Sequence, residues 1–157
     1  MIVAQEIERK FLLKSEAWRD EVSAQDHYRQ GYLANTDRCS VRVRVTGTCA
    51  YLNIKSATLD IGRTEHEYEI PKADGEQMLA DFCIGGRIEK TRYFVERDGH
   101  TWEIDVFERE NHGLILAEIE LEHRDEAYTR PEWLGEEVSQ DPRYYNVYLA
   151  RHPYSEW

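Results

Sequence analysis

The stretch Glu6-Ile7-Glu8-Arg9-Lys10 has the two-residue period of a β-strand. Because successive side chains of a strand point to opposite faces, Glu6, Glu8 and Lys10 would share one face, spaced about 6.6 Å apart. Two carboxylates and an ammonium in one row can hold a divalent cation and an anion together. A strand face that is simply solvated is the alternative, and these five residues alone leave both interpretations open.

The composition is that of a highly charged globular protein. The chain has 157 residues, of which 41% are hydrophobic and 32% charged, and this length favours a single domain over residues 1–157. The formal net charge of -11 argues against broad binding to nucleic acid or to a membrane, because both favour a basic protein surface. A small anion held by a local basic cluster or through metal ions is compatible with this charge.

The three cysteines, Cys39, Cys49 and Cys83, are widely spaced and form no CxxC pair. This pattern predicts free thiols in a reducing compartment, without a disulfide set or a zinc site. Glutamates occur within the first eight residues and no long apolar run is present, so no signal peptide or membrane span is expected. We therefore expect a cytoplasmic location.

Strand-like alternation continues along most of the chain. Seven further strands are predicted at residues 28–33, 40–46, 49–56, 63–70, 88–96, 101–108 and 114–122. Three helices are predicted at residues 15–19, from Asp74 to Phe82 with Gly85-Gly86 as its end, and from Asp141-Pro142 through Leu149. About eight strands joined by short turns favour an antiparallel barrel or a strongly curved sheet, with the helices outside.

In each predicted strand one face is charged and the other is apolar. Several charged rows carry a single sign: Arg42/Arg44, Glu65/Glu67/Glu69, Lys90/Arg92, Glu103/Asp105 and Glu118/Glu120/Glu122. A solvated sheet face explains the alternation, but a surface that serves solubility usually mixes the signs. Rows of one sign are favoured when a ligand supplies the opposite charge.

A closed barrel with its charged face inward would collect these rows around one lumen. Unpaired charges in a dry lumen would cost several kcal/mol per ion, so the lumen must hold water, or a polyanion with metal. Six basic residues could clamp phosphate oxygens: Lys10, Arg42, Arg44, Lys55, Lys90 and Arg92. The carboxylates are the oxygen ligands that hard divalent cations prefer.

These motifs resemble those of the CYTH superfamily, the triphosphate tunnel metalloenzymes. The N-terminal signature is Glu6-x-Glu8-x-Lys10, and the later motifs follow in the family's order: Arg42-x-Arg44, Lys55, Glu65-x-Glu67-x-Glu69, Lys90-x-Arg92, Asp105 and Glu118-x-Glu120. The resemblance extends from Glu6 to the tail. It implies a mainly β (α+β) fold, an eight-stranded antiparallel closed β-barrel with a few helices outside. A C-terminal helix containing Tyr145 and Asn146 would lie at one mouth of this tunnel.

The resemblance also implies residue roles. A divalent cation, Mg²⁺ or Mn²⁺, would be bound first by Glu6, Glu8, Glu118 and Glu120, and second by Asp105 with Glu67 and Glu69 from the Glu65 row. The six basic residues would bind a triphosphate. Lys10, with Glu6 and Glu8, would be catalytic, and Lys10 would contact the reacting phosphoryl group.

The implied function is metal-dependent hydrolysis of a triphosphate. Inorganic tripolyphosphate is favoured as substrate because the length and short loops indicate no large pocket for an organic group. The same scaffold would also suit an adenylate cyclase, or a thiamine or nucleoside triphosphatase. A polyphosphate- or nucleotide-binding module is the non-enzymatic alternative.

The remaining expectations concern the histidines and self-association. The six histidines are scattered and are interpreted as structural or exposed, and no Ser/His/Asp constellation is evident. Trp133, Tyr154 and Trp157 are candidates for a homodimer contact, although they could equally pack on their own barrel.

Overall fold

The structure is a computed structural model that describes residues 5–157. Within this range nine strands form one antiparallel sheet: β1 (Gln5–Leu13), β2 (Val22–Asn35), β3 (Cys39–Val45), β4 (Ala50–Ser56), β5 (Gly62–Ile70), β6 (Ile84–Arg97), β7 (His100–Phe107), β8 (Ile115–Leu121) and β9 (Leu134–Glu137). Their order is β5-β4-β3-β2-β6-β7-β8-β1-β9, and β5 also pairs with β1. This extra pairing closes the first eight strands into the expected antiparallel barrel.

Strand β1 closes the ring because its two edges have different partners. One edge pairs with β8 from Ile7 to Leu12, and the other pairs first with β5 and then, at Phe11 and Leu13, with β9. The sequence did not predict β9, because its four residues are too few to show a period. A Cβ on Gly135 would lie 2.9 Å from the backbone oxygen of Leu12, so glycine permits this close pairing.

Residues 5–157 also contain two α-helices and four 3₁₀ turns, of which α2 and two 3₁₀ turns follow the last strand. The helices are α1 (Lys72–Asp81) and α2 (Asn146–Leu149), and the 3₁₀ turns are Ala17–Glu21, Arg109–Asn111, Pro142–Tyr144 and Tyr154–Glu156. The predicted boundaries of the second helix were wrong at both ends. It begins at Lys72, directly after Pro71, and Gly85 lies inside β6 rather than at the helix end.

The tail is less helical than predicted. Asp141 does cap the 3₁₀ turn Pro142–Tyr144, since its carboxylate accepts a hydrogen bond of 3.0 Å from the backbone N–H of Arg143. Tyr145 is extended, at φ -82° and ψ 139°, and separates a 3₁₀ turn from the four-residue helix α2. Tyr145 therefore lies outside the helix in which the sequence placed it.

The apolar outer faces of the barrel are covered in two places. The outer core backs β1, β6, β7 and β8, and consists of Phe11, Trp18, Val95, Trp102, Ile104, Ala117, Ile119, Leu121, Trp133 and Leu134. A smaller cluster of Val43, Val45, Ala50 and Leu79 packs helix α1 onto β3 and β4. Trp133 is only 2% exposed, so it packs on its own barrel rather than offering a dimer contact.

A third apolar cluster lies on the inner face at one end of the barrel. This inner plug comprises Tyr32, Ile88, Phe107, Leu114, Leu116, Val138, Leu149 and Ala150. Leu116 lies two residues before Glu118, and Ile88 two before Lys90, so alternation gives each pair the same face. The inner face is therefore not uniformly charged, as the strand-by-strand pattern suggested, but becomes apolar where α2 packs.

Among residues 5–157, no helix combines the length and the apolar character needed to cross a membrane.

Candidate active site

The charged strand faces line a cavity of about 350 Å³ inside the barrel, here called the lumen. Its wall contains seven carboxylates, Glu6, Glu8, Glu65, Glu67, Glu103, Glu118 and Glu120. It also contains seven cations, Lys10, Arg42, Arg44, Lys55, Arg63, Lys90 and Arg92. The charged side chains of the wall are therefore formally balanced, and the net charge of -11 resides elsewhere on the protein.

The structure brings together most of the predicted site residues. All six predicted phosphate-binding residues line the lumen, as do Glu6, Glu8, Glu67, Glu118 and Glu120. Glu69 lies outside this wall and is exposed. Asp105 is fully buried behind the wall. Arg63 was missed as a site residue, although its two-residue spacing from Glu65 on β5 would have placed it on the same face.

Strands β1 and β8 place acidic and basic side chains opposite each other. In their register Glu8 faces Glu120, and Lys10 faces Glu118. The Nζ of Lys10 lies 2.9 Å from Oε1 of Glu118. Burial alone would raise the pKa of Glu118, but Lys10 and Arg92 outweigh it and hold that pKa well below its usual range. Lys10 and Glu118 are therefore a fixed, ionised pair.

Glu8 and Glu120 have no such compensation. Within residues 5–157 neither side chain has an ion pair or a hydrogen bond. Burial, with the nearby charges of Glu118 and Glu6, raises the pKa of Glu8 well above its usual range. Burial and Glu6 likewise raise the pKa of Glu120. Two neighbouring carboxylates whose charge no ion pair balances form a donor set that fits a hard divalent cation.

A buried triad supports the wall beside this pair. Asp105 accepts hydrogen bonds from Lys90 Nζ at 2.6 Å and from Arg92 Nε at 2.7 Å. Burial lowers the pKa of Lys90 to about 8, although Asp105 opposes the shift. Burial would raise the pKa of Asp105, but Arg92 and Lys90 lower it instead. Both Asp105 oxygens are occupied, so this residue holds two lumen cations in place.

The opposite side of the lumen, on β2 to β5, leaves polar atoms without partners. The Nζ of Lys55 lies 2.9 Å from carboxylate oxygens of both Glu6 and Glu65. By contrast, the buried Nε atoms of Arg42 and Arg44 have no hydrogen-bond partner within residues 5–157, and neither do the side-chain atoms of the buried amide of Gln30. Nearly all buried polar atoms in folded proteins have partners, so these atoms indicate that the lumen binds a polar ligand or water.

The C-terminal tail forms part of the lumen wall through Tyr145, Asn146 and Val147. A second cavity of about 380 Å³ shares Ser40, Arg63, Tyr145 and Val147 with the lumen. Its volume is within the range that binds small organic molecules. The expectation that there is no large pocket for an organic group stays a prediction.

Another set of metal-type ligands lies outside the lumen wall. The side chains of His27, Glu89 and Glu108 place three donor atoms within 4.8 Å of one another. Glu89 also pairs with Arg109, and Glu108 accepts a hydrogen bond of 3.0 Å from Thr91. These carboxylates thus already have protein partners, unlike Glu8 and Glu120.

Residues 4–145 match the family model described as the CYTH domain. The chain is 41% identical over 152 residues to an inorganic triphosphatase of Acetivibrio thermocellus, covering 97% of each chain. It is 40% identical over 149 residues to an inorganic triphosphatase of Nitrosomonas europaea, covering 92% of this chain and 96% of the relative. A crystal structure of an inorganic triphosphatase matches with a TM-score of 0.67 and 37% identity, covering 96% of this chain and 95% of that one. With its charged lumen, its strand order and these matches over nearly its whole length, the chain belongs to the CYTH domain family.

Proposed function

We propose that this protein hydrolyses inorganic tripolyphosphate to pyrophosphate and orthophosphate in the lumen, with a divalent cation, Mg²⁺ or Mn²⁺, as cofactor. One observation carries the proposal: seven carboxylates and seven cations line one cavity inside the barrel. The two relatives of about 40% identity, both named inorganic triphosphatase, support the same reaction.

Charge balance explains why a cation would accompany the substrate. The charged side chains of the lumen wall are balanced, so a bound triphosphate alone would add several uncompensated negative charges to a poorly solvated space. The two carboxylates without a partner within residues 5–157, Glu8 and Glu120, lie on β1 and β8 beside Glu6 and Glu118. We assign the cation to Glu6, Glu8, Glu118 and Glu120, and the pairing with Lys90 and Arg92 to Asp105.

The basic residues would position the triphosphate. Arginine offers a planar fork that binds two phosphate oxygens at once, whereas lysine offers a compact charge. Arg42 and Arg44, with unpartnered Nε atoms, would bind phosphate oxygens from β3, while Lys90 and Arg92 would bind them from β6. Lys10 would contact the reacting phosphoryl group from β1. These contacts hold the substrate in the in-line geometry that the reaction needs.

The rest of the reaction requires stabilisation of charge and a positioned water. A bound divalent cation would supply electrophilic stabilisation of the charge that develops on the transferred phosphoryl group. A lumen carboxylate would accept a hydrogen bond from the attacking water and orient it. No covalent intermediate on the protein is needed for this chemistry.

The test is a substrate panel with purified protein. Tripolyphosphate, ATP and thiamine triphosphate are each incubated with Mg²⁺ or Mn²⁺, and orthophosphate and cyclic AMP are measured. We expect the largest kcat/KM for tripolyphosphate and none in the presence of a chelator. Cyclic AMP formed from ATP would support an adenylate cyclase instead, and faster release from ATP or thiamine triphosphate would support an organic-substrate triphosphatase.

The non-enzymatic alternative is separated by a second measurement. A binding module would show a melting temperature that rises with tripolyphosphate, since the ligand binds only the folded state, but would release no phosphate. A barrel without a triphosphate site would show neither effect.

We further propose that residues 1–157 form one domain and that the protein acts in the cytoplasm. The thiols of Cys39, Cys49 and Cys83 are free, which suits a reducing compartment.

A further inference from the structure

The ring of Tyr145 lies close to two cations of the lumen. Its centroid is 5.3 Å from Nζ of Lys10 and 5.2 Å from Cζ of Arg63. Both distances are within the roughly 6 Å over which a cation is attracted to an aromatic ring. Because Tyr145 also lines the lumen, this ring lies where these two cations would meet a ligand.

The tail segment that carries Tyr145 is attached to β1 at Lys10. The backbone N–H of Lys10 donates to Oγ of Ser139 at 2.9 Å, and the N–H of Val138 donates to the backbone oxygen of Lys10 at 2.8 Å. The hydroxyl of Tyr145 donates to the backbone oxygen of Ser139 at 2.7 Å. Residues 138–145 therefore form a short loop that begins and ends at Lys10.

The same loop holds the ammonium group of Lys10. Its Nζ donates to the backbone oxygen of Tyr144 at 3.2 Å, in addition to the ring contact with Tyr145. Its other partner is Glu118, 2.9 Å away, which we assign to the cation. When Glu118 shares its charge with a cation, its attraction for Lys10 decreases, and the two contacts from the tail then keep the ammonium in position.

We propose that Tyr145 is a positioning residue, whose ring holds the ammonium of Lys10 and the guanidinium of Arg63 in the geometry that binds the reacting end of the triphosphate. This inference rests on the proposed function, and it assigns a part in that function to the C-terminal tail. Tyr145 acts through the two cations rather than on the reacting atoms.

The test compares Tyr145→Leu with Tyr145→Phe in the full-length protein. Leucine removes the aromatic face, whereas phenylalanine keeps it and loses only the hydroxyl contact with Ser139. We expect Tyr145→Leu to lower kcat for tripolyphosphate about tenfold, because small misplacements of a positioning group are costly. KM should rise no more than about threefold, since the other lumen cations still bind the phosphates. Tyr145→Phe should keep kcat within about twofold of the wild type.

Tyr68→Leu is the matched control, because Tyr68 is an exposed aromatic residue on β5 outside the lumen wall. It should leave both kinetic constants unchanged. If Tyr145→Leu keeps the wild-type kcat, or if Tyr145→Phe loses as much activity as the leucine variant, the positioning role is wrong. A fall in melting temperature alone, with kcat retained, would mean that the ring is only structural.

Failure of the proposed function would be visible separately, as a wild type that releases no phosphate. In that case calorimetric titration with tripolyphosphate still tests Tyr145. We then expect Tyr145→Leu, but not Tyr145→Phe, to weaken binding about threefold through the loss of the two cation–ring contacts. Equal affinities of the two variants would overturn the inference.

Discussion

Two walls of the lumen carry the same kinds of charged side chain but are built differently. The wall of β1, β8, β7 and β6 lies against the outer core, and the side chains of its Lys90–Asp105 pair are 2% and 0% exposed. The wall of β3, β4 and β5, here called the thin wall, has helix α1 behind β3 and β4, but the outer face of β5 is exposed. Tyr68 on the outer face of β5 is 55% exposed, and the side chain of the lumen residue Glu67 is 38% exposed.

The difference in burial changes what an ion pair contributes. In the wall of β1, β8, β7 and β6, here called the backed wall, each charge depends on its partner, because water cannot replace the partner if it is lost. In the thin wall water screens the exposed carboxylate of Glu67, and its pair with Arg44 contributes little to folding. The backed wall therefore supplies charges at fixed positions, suited to a metal and a reacting phosphoryl group. The thin wall supplies Arg42 and Arg44, whose buried Nε atoms have no partner within residues 5–157 and suit the rest of a triphosphate.

The largest expected effect is the loss of Glu118 from the backed wall. Glu118→Gln should lower tripolyphosphate hydrolysis about 10³-fold, equivalent to about 4 kcal/mol, because it removes a proposed metal ligand and the partner of Lys10. Steady-state phosphate release measures it. Glu122→Gln is the control, since Glu122 is exposed just beyond β8. Circular dichroism must show that both variants are folded, and a folded Glu118→Gln variant with normal activity would refute the assignment.

The next effect concerns stability and compares the two walls directly. Asp105→Asn should lower the free energy of unfolding by about 3–5 kcal/mol, because it leaves Lys90 and Arg92 buried without their shared anion. Glu67→Gln in the thin wall should cost less than about 1 kcal/mol. Urea denaturation of the metal-free proteins measures both. Equal losses would show that the two walls are not different in the way described.

The pH dependence of this stability has a definite sign. The pKa of Asp105 is lowered in the folded state from its ordinary value of 3.8. The folded protein therefore binds fewer protons here than the unfolded chain, and the stabilisation is complete above pH 3.8. It is lost as the pH falls through the lowered pKa, and Asp105→Asn should remove this part of the acid sensitivity.

The two-residue period explains why the sequence could predict so much of the lumen. Alternation alone places Lys10, Arg44 and Lys55 on the inner face once the sheet is known to close. It does not show what lies behind or beyond that face. Asp105 shares the inward parity but is covered by Lys90 and Arg92, while Glu69 lies near the end of β5, outside the lumen wall.

Features that depend on contacts between distant segments could not be predicted from the sequence pattern. The inner plug follows from α2 packing into one end of the barrel, which no strand pattern reveals. Strand β9 pairs closely with β1 at Gly135, and its own four residues show no period from which it could be predicted. Tyr145 was assigned to a helix from its neighbours' spacing, whereas its contacts with Lys10 and Ser139 accompany an extended backbone.

Metal affinity should depend on pH through the backed wall. Burial, Glu118 and Glu6 raise the pKa of Glu8, so this carboxyl must lose a proton before it can bind a cation. Calorimetric titration with Mn²⁺ should show affinity rising with pH above 4.5, with proton release. Glu8→Gln should remove that dependence and weaken Mn²⁺ binding at least about tenfold. Even the loss of a residue that only supports a metal ligand typically weakens metal affinity by about that much.

In the metal-free protein, Glu8 should make the stability fall as the pH rises. Because the pKa of Glu8 is raised on folding, its contribution to stability is complete below about pH 4.5 and is lost as the pH rises through the raised value. As the pH rises from about 4.5 through the raised pKa, the melting temperature of the metal-free wild type should therefore fall more steeply than that of Glu8→Gln. Identical slopes would show that Glu8 is not a strained, uncompensated group.

The smallest effect is expected at Lys90, where only the protonation state changes. Burial lowers the pKa of its ammonium to about 8, against the opposing effect of Asp105, so above this pH the free enzyme loses one of its phosphate-binding charges. Loss of a charged hydrogen bond should lower kcat/KM about tenfold between pH 7.5 and 9.5. The profile of kcat/KM reports the free enzyme, whereas a bound triphosphate keeps Lys90 charged and leaves kcat nearly constant over the same range. Lys90→Arg keeps its charge at every pH tested, so a folded arginine variant should lack this alkaline fall. If the wild type and Lys90→Arg decline together, the fall arises from another group, and the backed wall does not control the alkaline limit.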